Sequence, residues 1–282
     1  MPRARPAPRR HAADLAALAA AGERIVAVTA YTAPEARCCD EAGADLILVG
    51  DSLGRVLLGL PDELGVTMED MERHTAAVAR GARRALVVAD LPFLSYQADP
   101  AEAVRNAGRL VRAGAAAVKL EGGAERAETV RRIVEAGIPV VGHLGFTPQS
   151  VRRLGGARVQ GRGDQAARLQ ADAAALAAAQ VSAIVLEMVP GPLAGRITAE
   201  AGVPTIGIGA GAACSGQVLV LYDLIGLSPR VPRLARTYAD LGQAMREAVA
   251  RYAADVRAGA FPGPAQTHDG TAWGGAAGED AP

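Results

Sequence analysis

Short runs of aliphatic and β-branched residues alternate along the chain with longer stretches whose apolar positions recur with a helical period. The runs predict strands and the stretches between them predict helices. The predicted strands are RIVAVTAY, DLILVGDS, ALVVADLPF, AVKLEGG, IPVVGHLG, AIVLEMVP, PTIGIGAG and, most weakly marked, LVLYDLIG. The predicted helices include APEARCCDEAG, MEDMERHTAAVARGA, PAEAVRNAGRLVRAG, AERAETVRRIVEAG and DQAARLQADAAALAAAQ, several of which end in Ala-Gly, a common helix terminus.

Strands that are apolar almost throughout are typical of parallel strands covered by helices. Eight such units predict a single α/β domain, a (β/α)8 TIM barrel, over residues 12–262. A doubly wound open sheet is the alternative, because the eighth strand is poorly marked. Residues 1–11 and 263–282 have no such pattern, so we expect a disordered basic arm and a disordered tail. The basic start also has some features of a transit peptide.

Composition narrows the class of partner. Thirty basic and thirty acidic residues give a formal net charge of zero, which argues against nucleic acid or an anionic membrane and for a small-molecule substrate. No apolar run is long enough to cross a bilayer. The three cysteines have no metal-site spacing, so we expect reduced thiols and a cytoplasmic protein.

Charged residues stand at the ends of several apolar strands: Asp51 (before Ser52), Asp90, Lys119 with Glu121, His143 and Glu187. A charge in such a position is costly to bury unless it is paired or bound to a metal. A single one could serve as a helix cap or a salt bridge. In a parallel barrel, however, the strand ends meet at one mouth, where catalytic sites lie. Several carboxylates gathered there require a cation, and oxygen ligands without cysteine favour Mg²⁺ over zinc.

Lys119 is the only lysine in the chain, and it shares a strand face with Glu121. Its compact ammonium suits one oxygen of a substrate carboxylate or of a neighbouring ligand, although a structural Lys–Glu pair is an alternative. A Schiff-base role is less consistent with anionic neighbours, which keep the amine protonated. Glu187 is a candidate base for a carbon acid or a structural carboxylate. His143 could polarise a carbonyl or be a buried structural histidine.

Eight motifs in this order carry a specific resemblance: LVGDSLG, HTAAVARGA, VVADLPF, VKLEGG, GHLGFTPQSV, GGARVQGRGD, LEMVP and IGIGAG. From about Ala12 to Pro262 the chain closely resembles the ketopantoate (3-methyl-2-oxobutanoate) hydroxymethyltransferase family of the phosphoenolpyruvate/pyruvate barrel superfamily. The resemblance implies transfer of a one-carbon unit from 5,10-methylenetetrahydrofolate to 3-methyl-2-oxobutanoate, giving 2-dehydropantoate for pantothenate and coenzyme A synthesis. It also implies one Mg²⁺ per subunit and a homo-oligomer, typically a decamer.

The resemblance also implies roles for individual residues. Asp51 and Asp90 would hold Mg²⁺, with Glu121 completing the site, and Glu187 would accept the proton as an Mg²⁺-stabilised enolate forms. The residues that would contact the keto acid are Asp51, Ser52, Asp90 and Lys119.

Two segments depart from the family pattern. Residues 59–67 read GLPDELGVT where the family usually has a sequence like GHDSTLPVT, and the ending PGPAQTHDG only loosely matches PxxEHSF. Two other functions stay open: a Mg²⁺-dependent C–C lyase of the isocitrate lyase type, whose KKCGH loop is absent here, and a non-catalytic barrel.

Overall fold

The computed structural model describes residues 8–268, which form a closed barrel of eight parallel strands paired in sequence order. β8 pairs with β1 and completes the ring, so the predicted (β/α)8 barrel is confirmed. The strands are β1 (Ile25–Thr29), β2 (Leu46–Val49), β3 (Leu86–Asp90), β4 (Ala117–Glu121), β5 (Val140–Gly145), β6 (Ala183–Glu187), β7 (Thr205–Ile208) and β8 (Gly216–Leu219).

Helices follow most of the strands. They are α1 (Ala12–Ala20), α2 (Ala33–Glu41), α3 (Leu53–Val56), α4 (Met68–Gly81), α5 (Pro100–Arg112), α6 (Ala127–Glu135), α7 (Val151–Leu154), α8 (Gln165–Ala178), α9 (Gly191–Glu200), α10 (Leu221–Leu224) and α11 (Leu241–Arg257). No helix within residues 8–268 is long and apolar enough to cross a membrane.

Local sequence explains where several helices begin. α2 and α4 each start with a capping box, in which a threonine at the N-cap and an acidic residue three positions later satisfy each other's free backbone N–H groups. Asp99 caps α5, and Pro100 occupies the first helical position, where its missing N–H is not needed. These signals fix the residues at which α2, α4 and α5 begin.

The prediction for the eighth strand was wrong in its position. β8 is the short segment Gly216–Leu219, and Leu221–Leu224, the middle of the run LVLYDLIG, forms the short helix α10 instead. A brief apolar run cannot be assigned to strand or helix by periodicity alone. β7 and β8 are also joined by residues 209–215 without an intervening helix.

The core has two layers. A larger apolar cluster lies between the strands and the surrounding helices, and a smaller one fills the barrel interior. Ala117 belongs to the interior cluster, and Lys119 and Glu121 follow it at alternate positions of β4, so all three share the inward face. The strand pattern therefore directs both charged side chains to the mouth above the apolar interior.

The two ends of the described chain differ. Of the predicted arm, residues 1–7 lie outside the described residues; Arg10 forms a 2.7 Å ion pair with Asp45, and α1 packs onto the interior cluster. α11 has no buried residue. Of the predicted tail, residues 263–268 are described, and they include a single 3₁₀ turn at Pro264–Gln266.

Candidate active site

One cavity of about 600 Å³ opens at the carboxyl ends of the strands. Its lining contains every residue that the sequence singled out: Asp51, Ser52, Asp90, Lys119, Glu121, His143 and Glu187. The residues come from five strands or the turns that follow them, so the closure of the barrel brings them together.

Lys119 and Asp90 form the innermost ion pair of the site. They are register partners on β4 and β3, and Lys119 Nζ lies 2.9 Å from Asp90 Oδ1. The Asp51 backbone N–H donates to Asp90 Oδ2 at 3.1 Å, which joins the two predicted metal ligands. Burial alone would lower the pKa of Lys119, but Asp90, Asp51 and Glu121 together raise it above its ordinary value. Lys119 is therefore a fixed positive charge rather than an amine free for Schiff-base chemistry.

His143 lies between two carboxylates. Its Nδ1 is 3.5 Å from Glu121 Oε1 and its Nε2 is 3.3 Å from Glu187 Oε2. Lys119 Nζ also lies 3.3 Å from Nδ1. Burial and Lys119 would lower the pKa of His143, but Glu121 and Glu187 raise it to about 9. The imidazole therefore links β4 to β6 within the site through its two carboxylate neighbours.

A glycine sets the position of Glu187. Gly145 pairs in register with Glu187 and has φ 93°, a backbone conformation that favours glycine. A Cβ at this position would collide with the Glu187 carbonyl oxygen. The Phe146 backbone N–H donates to that same carbonyl at 2.8 Å, so β5 and β6 stay in close contact at the mouth.

Gln149 is a site residue that the sequence analysis missed. It follows β5, and its Nε2 donates to Asp51 Oδ2 at 2.8 Å and to the Leu91 carbonyl at 2.9 Å. Its backbone N–H donates to Glu121 Oε2 at 3.0 Å. The Tyr96 hydroxyl, on the segment after β3, donates to Gln149 Oε1 at 2.8 Å. Gln149 therefore binds two predicted metal ligands, Asp51 through its side-chain amide and Glu121 through its backbone N–H. In the sequence its only signal was its place in the motif GHLGFTPQSV.

The segment of residues 59–67, which departs from the family pattern, forms part of the cavity wall. It contains a 3₁₀ turn at Glu63–Gly65, and Glu63 is buried and lines the cavity. Burial and the charge of Asp51 raise the pKa of Glu63 to about 7, against the opposing effect of Arg55. Arg55 lies 3.5 Å from Glu63, and Arg152 lies 3.4 Å from Asp62, so two ion pairs tie the segment to α3 and α7.

The donor set suits a hard divalent cation. Asp90 Oδ1 and Glu121 Oε1 are buried acceptors without a hydrogen bond of good geometry, although each has a cationic group nearby. Burial raises the pKa of both carboxyls, so their ionised forms need more positive charge than Lys119 supplies. Within residues 8–268, no group of three or more His, Cys, Asp or Glu side chains is arranged to hold a metal ion by itself. Mg²⁺ commonly uses one or two carboxylates together with water and substrate oxygens, which this arrangement can provide.

A barrel that gathers carboxylates, a lysine and a histidine at the carboxyl ends of its strands is the architecture of an enzyme acting on a small, anionic substrate. Residues 9–264 match the sequence profile of the family described as ketopantoate hydroxymethyltransferase. The 3-methyl-2-oxobutanoate hydroxymethyltransferase of Pyrobaculum islandicum is 59% identical over 83% of this chain and 90% of its own length. That of Ignicoccus hospitalis is 58% identical over 86% of this chain and 92% of its own length.

The fold has more distant neighbours as well. The solved structure of 2,3-dimethylmalate lyase, described as a member of the PEP mutase/isocitrate lyase superfamily, has a TM-score of 0.60 and 17% sequence identity, covering 91% of this chain and 93% of the other. The chain belongs to the ketopantoate hydroxymethyltransferase family, and it is an enzyme. The resemblance drawn from the eight motifs is confirmed.

Proposed function

We propose that this enzyme transfers a hydroxymethyl unit from 5,10-methylenetetrahydrofolate to 3-methyl-2-oxobutanoate, forming 2-dehydropantoate on the route to pantothenate. Two relatives that are 58–59% identical to it over 83–86% of its length carry the name of this activity. The observation that carries the proposal is the position of Asp51, Asp90, Lys119 and Glu187 around one cavity. Together these residues supply the ligands, the positive charge and the base that the reaction requires.

Asp51 and Asp90 would hold Mg²⁺, with Glu121 completing the site through water. The burial of both carboxylates beside the cavity supports this assignment. When bound, the metal would act as a Lewis acid on the ketone and carboxylate oxygens of the keto acid and stabilise the enolate. Gln149 keeps Asp51 in place, since its Nε2 donates to the Asp51 carboxylate.

Lys119 and Ser52 would bind the keto acid beside these carboxylates. Lys119 supplies a buried point charge that offsets the substrate carboxylate, and Asp90 holds its ammonium at 2.9 Å. Ser52 Oγ is fixed by the Tyr31 hydroxyl at 3.0 Å, so it is oriented before substrate arrives. Preorganised contacts of this kind fix the branched carbon of the substrate in one position.

Glu187 would remove the proton from that branched carbon. Its carboxylate lies at the cavity wall, and His143 Nε2 at 3.3 Å limits its freedom to turn away. Loss of the proton forms the enolate. Water would release the one-carbon unit from the folate as formaldehyde, leaving tetrahydrofolate, and attack of the enolate carbon on the formaldehyde carbon followed by protonation of its oxygen would give the hydroxymethyl group. Both ring nitrogens of His143 lie against carboxylates, so this geometry supports an orienting role for it rather than direct polarisation of the ketone.

Proton exchange tests the proposal without the folate. The enzyme with Mg²⁺ and 3-methyl-2-oxobutanoate in deuterated water should replace the proton on the branched carbon with deuterium, as followed by NMR. Glu187→Gln should bind the keto acid but lose exchange, because only the base is removed. Glu200→Gln, at an exposed position on α9, is the matched control. A wild-type enzyme without exchange would refute the proposed reaction and favour a non-catalytic barrel.

We also propose a homo-oligomer, specifically a decamer, and a cytoplasmic location. An apolar stripe on α11 supports association: Leu241, Met245, Val249, Tyr252 and Val256 are each 45–60% exposed. Their spacing places them along one side of the helix. A continuous exposed apolar face of this kind is typical of a surface that another chain covers, and a second copy is the occupant we propose.

A further inference from the structure

Asp223 is a buried carboxylate for which the proposed reaction has no use. It is 7% exposed, lies in the short helix α10 and lines the cavity. Among residues 8–268 its side chain has no hydrogen bond or ion pair, and it does not cap its own helix. A carboxylate that lines a cavity without a protein partner can accept hydrogen bonds from a ligand bound there.

Asp223 is separate from the proposed metal ligands. It follows β8, which stands opposite β4 in a ring of eight strands paired in sequence order. Asp51, Asp90 and Glu121 belong to β2, β3 and β4 or the turns directly after them. The two groups of carboxylates therefore approach the cavity from different walls, and a ligand of Asp223 would not compete for the cation.

The neighbours of Asp223 hold its backbone in place. The Leu221 backbone N–H donates to Thr29 Oγ1 at 3.0 Å, and the Tyr222 hydroxyl donates to Glu35 Oε1 at 3.0 Å. The Tyr222 ring also packs edge-on against Tyr31 with 5.7 Å between the ring centroids. A carboxylate presented from such a fixed backbone is suited to directional recognition.

We propose that Asp223 binds the pterin ring of the one-carbon donor by accepting hydrogen bonds from its N3–H and its 2-amino group. This inference rests on the proposed function. A cavity of about 600 Å³ has the size of sites for drug-sized ligands, and a small keto acid leaves most of it free. The pterin edge presents two parallel N–H donors, which match the two oxygens of a carboxylate as a guanidinium does. Val231 and Leu234 line the same cavity and offer apolar contacts to the flat ring.

Binding of tetrahydrofolate, measured by isothermal titration calorimetry, tests the assignment. Asp223→Asn should weaken it about tenfold to a hundredfold, since the amide offers only one acceptor where two donors must be satisfied. Asp240→Asn is the matched control: it removes the same charge from the exposed N-cap of α11, where asparagine still caps, and should bind like the wild type. A tetrahydrofolate analogue with methyl in place of the 2-amino group should bind the wild type more weakly than tetrahydrofolate does. Its affinities for the wild type and for Asp223→Asn should be nearly equal, because the contact that the variant loses is already absent.

Deuterium exchange into 3-methyl-2-oxobutanoate, measured without folate, separates this inference from the proposed function. Exchange at the wild-type rate in Asp223→Asn, together with weakened tetrahydrofolate binding, would support both. Unchanged tetrahydrofolate binding in Asp223→Asn would overturn the inference and leave the proposed function intact. Loss of exchange in this variant would also overturn it, because Asp223 would then act on the keto-acid half of the site. The inference would also be contradicted if the ratio of the affinity for tetrahydrofolate to that for the methyl analogue were the same in the wild type and in Asp223→Asn.

Discussion

Replacing Gln149 with methionine removes a polar network while keeping the length of the side chain. The variant loses the donations to Asp51 and to the Leu91 carbonyl and the acceptor for the Tyr96 hydroxyl. The backbone N–H that binds Glu121 is unaffected. The substitution therefore frees one predicted metal ligand and leaves another in place, which makes it a test of Asp51 in particular.

The contacts indicate the size of the effect. A hydrogen bond to a charged group contributes about 1.5–3 kcal/mol, and a buried acceptor left unpaired costs about 1–3 kcal/mol. Because the side chain can shift, we expect a loss of about 3 kcal/mol in the free energy of unfolding rather than the full sum. Loss of an outer contact to a metal ligand typically weakens metal binding about 10- to 100-fold. We expect a loss in that range for Mg²⁺.

Two measurements check this expectation: calorimetric titration with Mg²⁺ in the absence of substrate, and urea unfolding in EDTA. Gln170→Met is the control, since Gln170 bonds Glu200 at the surface of α8. Gln149→Glu keeps an acceptor for Tyr96 but places a negative charge beside Asp51, and it should also lose Mg²⁺ affinity. If Gln149→Met binds Mg²⁺ within twofold of the wild type while its stability falls, Gln149 is structural and does not organise the metal site.

Three other outcomes follow from the geometry. Lys119→Arg should reduce kcat/KM for the keto acid about tenfold to a hundredfold, because a planar fork cannot replace a point charge beside Asp90; wild-type kinetics would contradict this. Burial raises the pKa of Glu63 from 4.5 to about 7, so folding takes up a proton and stability falls as the pH rises through that window. Glu63→Gln should therefore add up to about 3 kcal/mol to the free energy of unfolding at pH 8 in EDTA and little near pH 4.5, whereas an equal effect at both pH values would argue against a buried ionised Glu63. Val249→Glu places a charge in the exposed stripe of α11 and should lower the mass measured by sedimentation equilibrium if that stripe joins subunits; an unchanged mass would mean that the stripe is not the interface.

The sequence predicted the parts of the site that strand chemistry encodes. Asp90 and Lys119 interrupt apolar strands. Because a buried charge is costly unless it has a partner or a ligand, each could be recognised as a candidate site residue from its own strand. The shared parity of Lys119 and Glu121 placed both on the inward face, and both line the cavity. The sequence could predict these residues because side chains alternate between the two faces of a strand, so the position of a residue along the strand determines the face on which its side chain lies.

The residues that the sequence did not reveal lie on loops or in ambiguous runs. Gln149 is uncharged and follows β5, so no periodic pattern fixes where its amide points. Asp223 lies in the run assigned to the eighth strand, and the short helix that forms there instead places it on the cavity wall. The contact between His143 and Glu187 required the register of β5 against β6, which depends on the closed sheet as a whole. Loop geometry and strand register depend on the assembled barrel, so they could not be predicted from local sequence patterns.

The solitary lysine has a practical consequence for chemical labelling. Apart from the amino terminus of the chain, an acylating reagent that targets primary amines has one side chain to attack, and that amine is 5% exposed inside the cavity. The rate at which Lys119 is acylated therefore reports access to the catalytic chamber directly, without an engineered reporter. Occupancy by a substrate or a cation would slow the modification, and mass spectrometry of the intact chain would read it as a single added adduct.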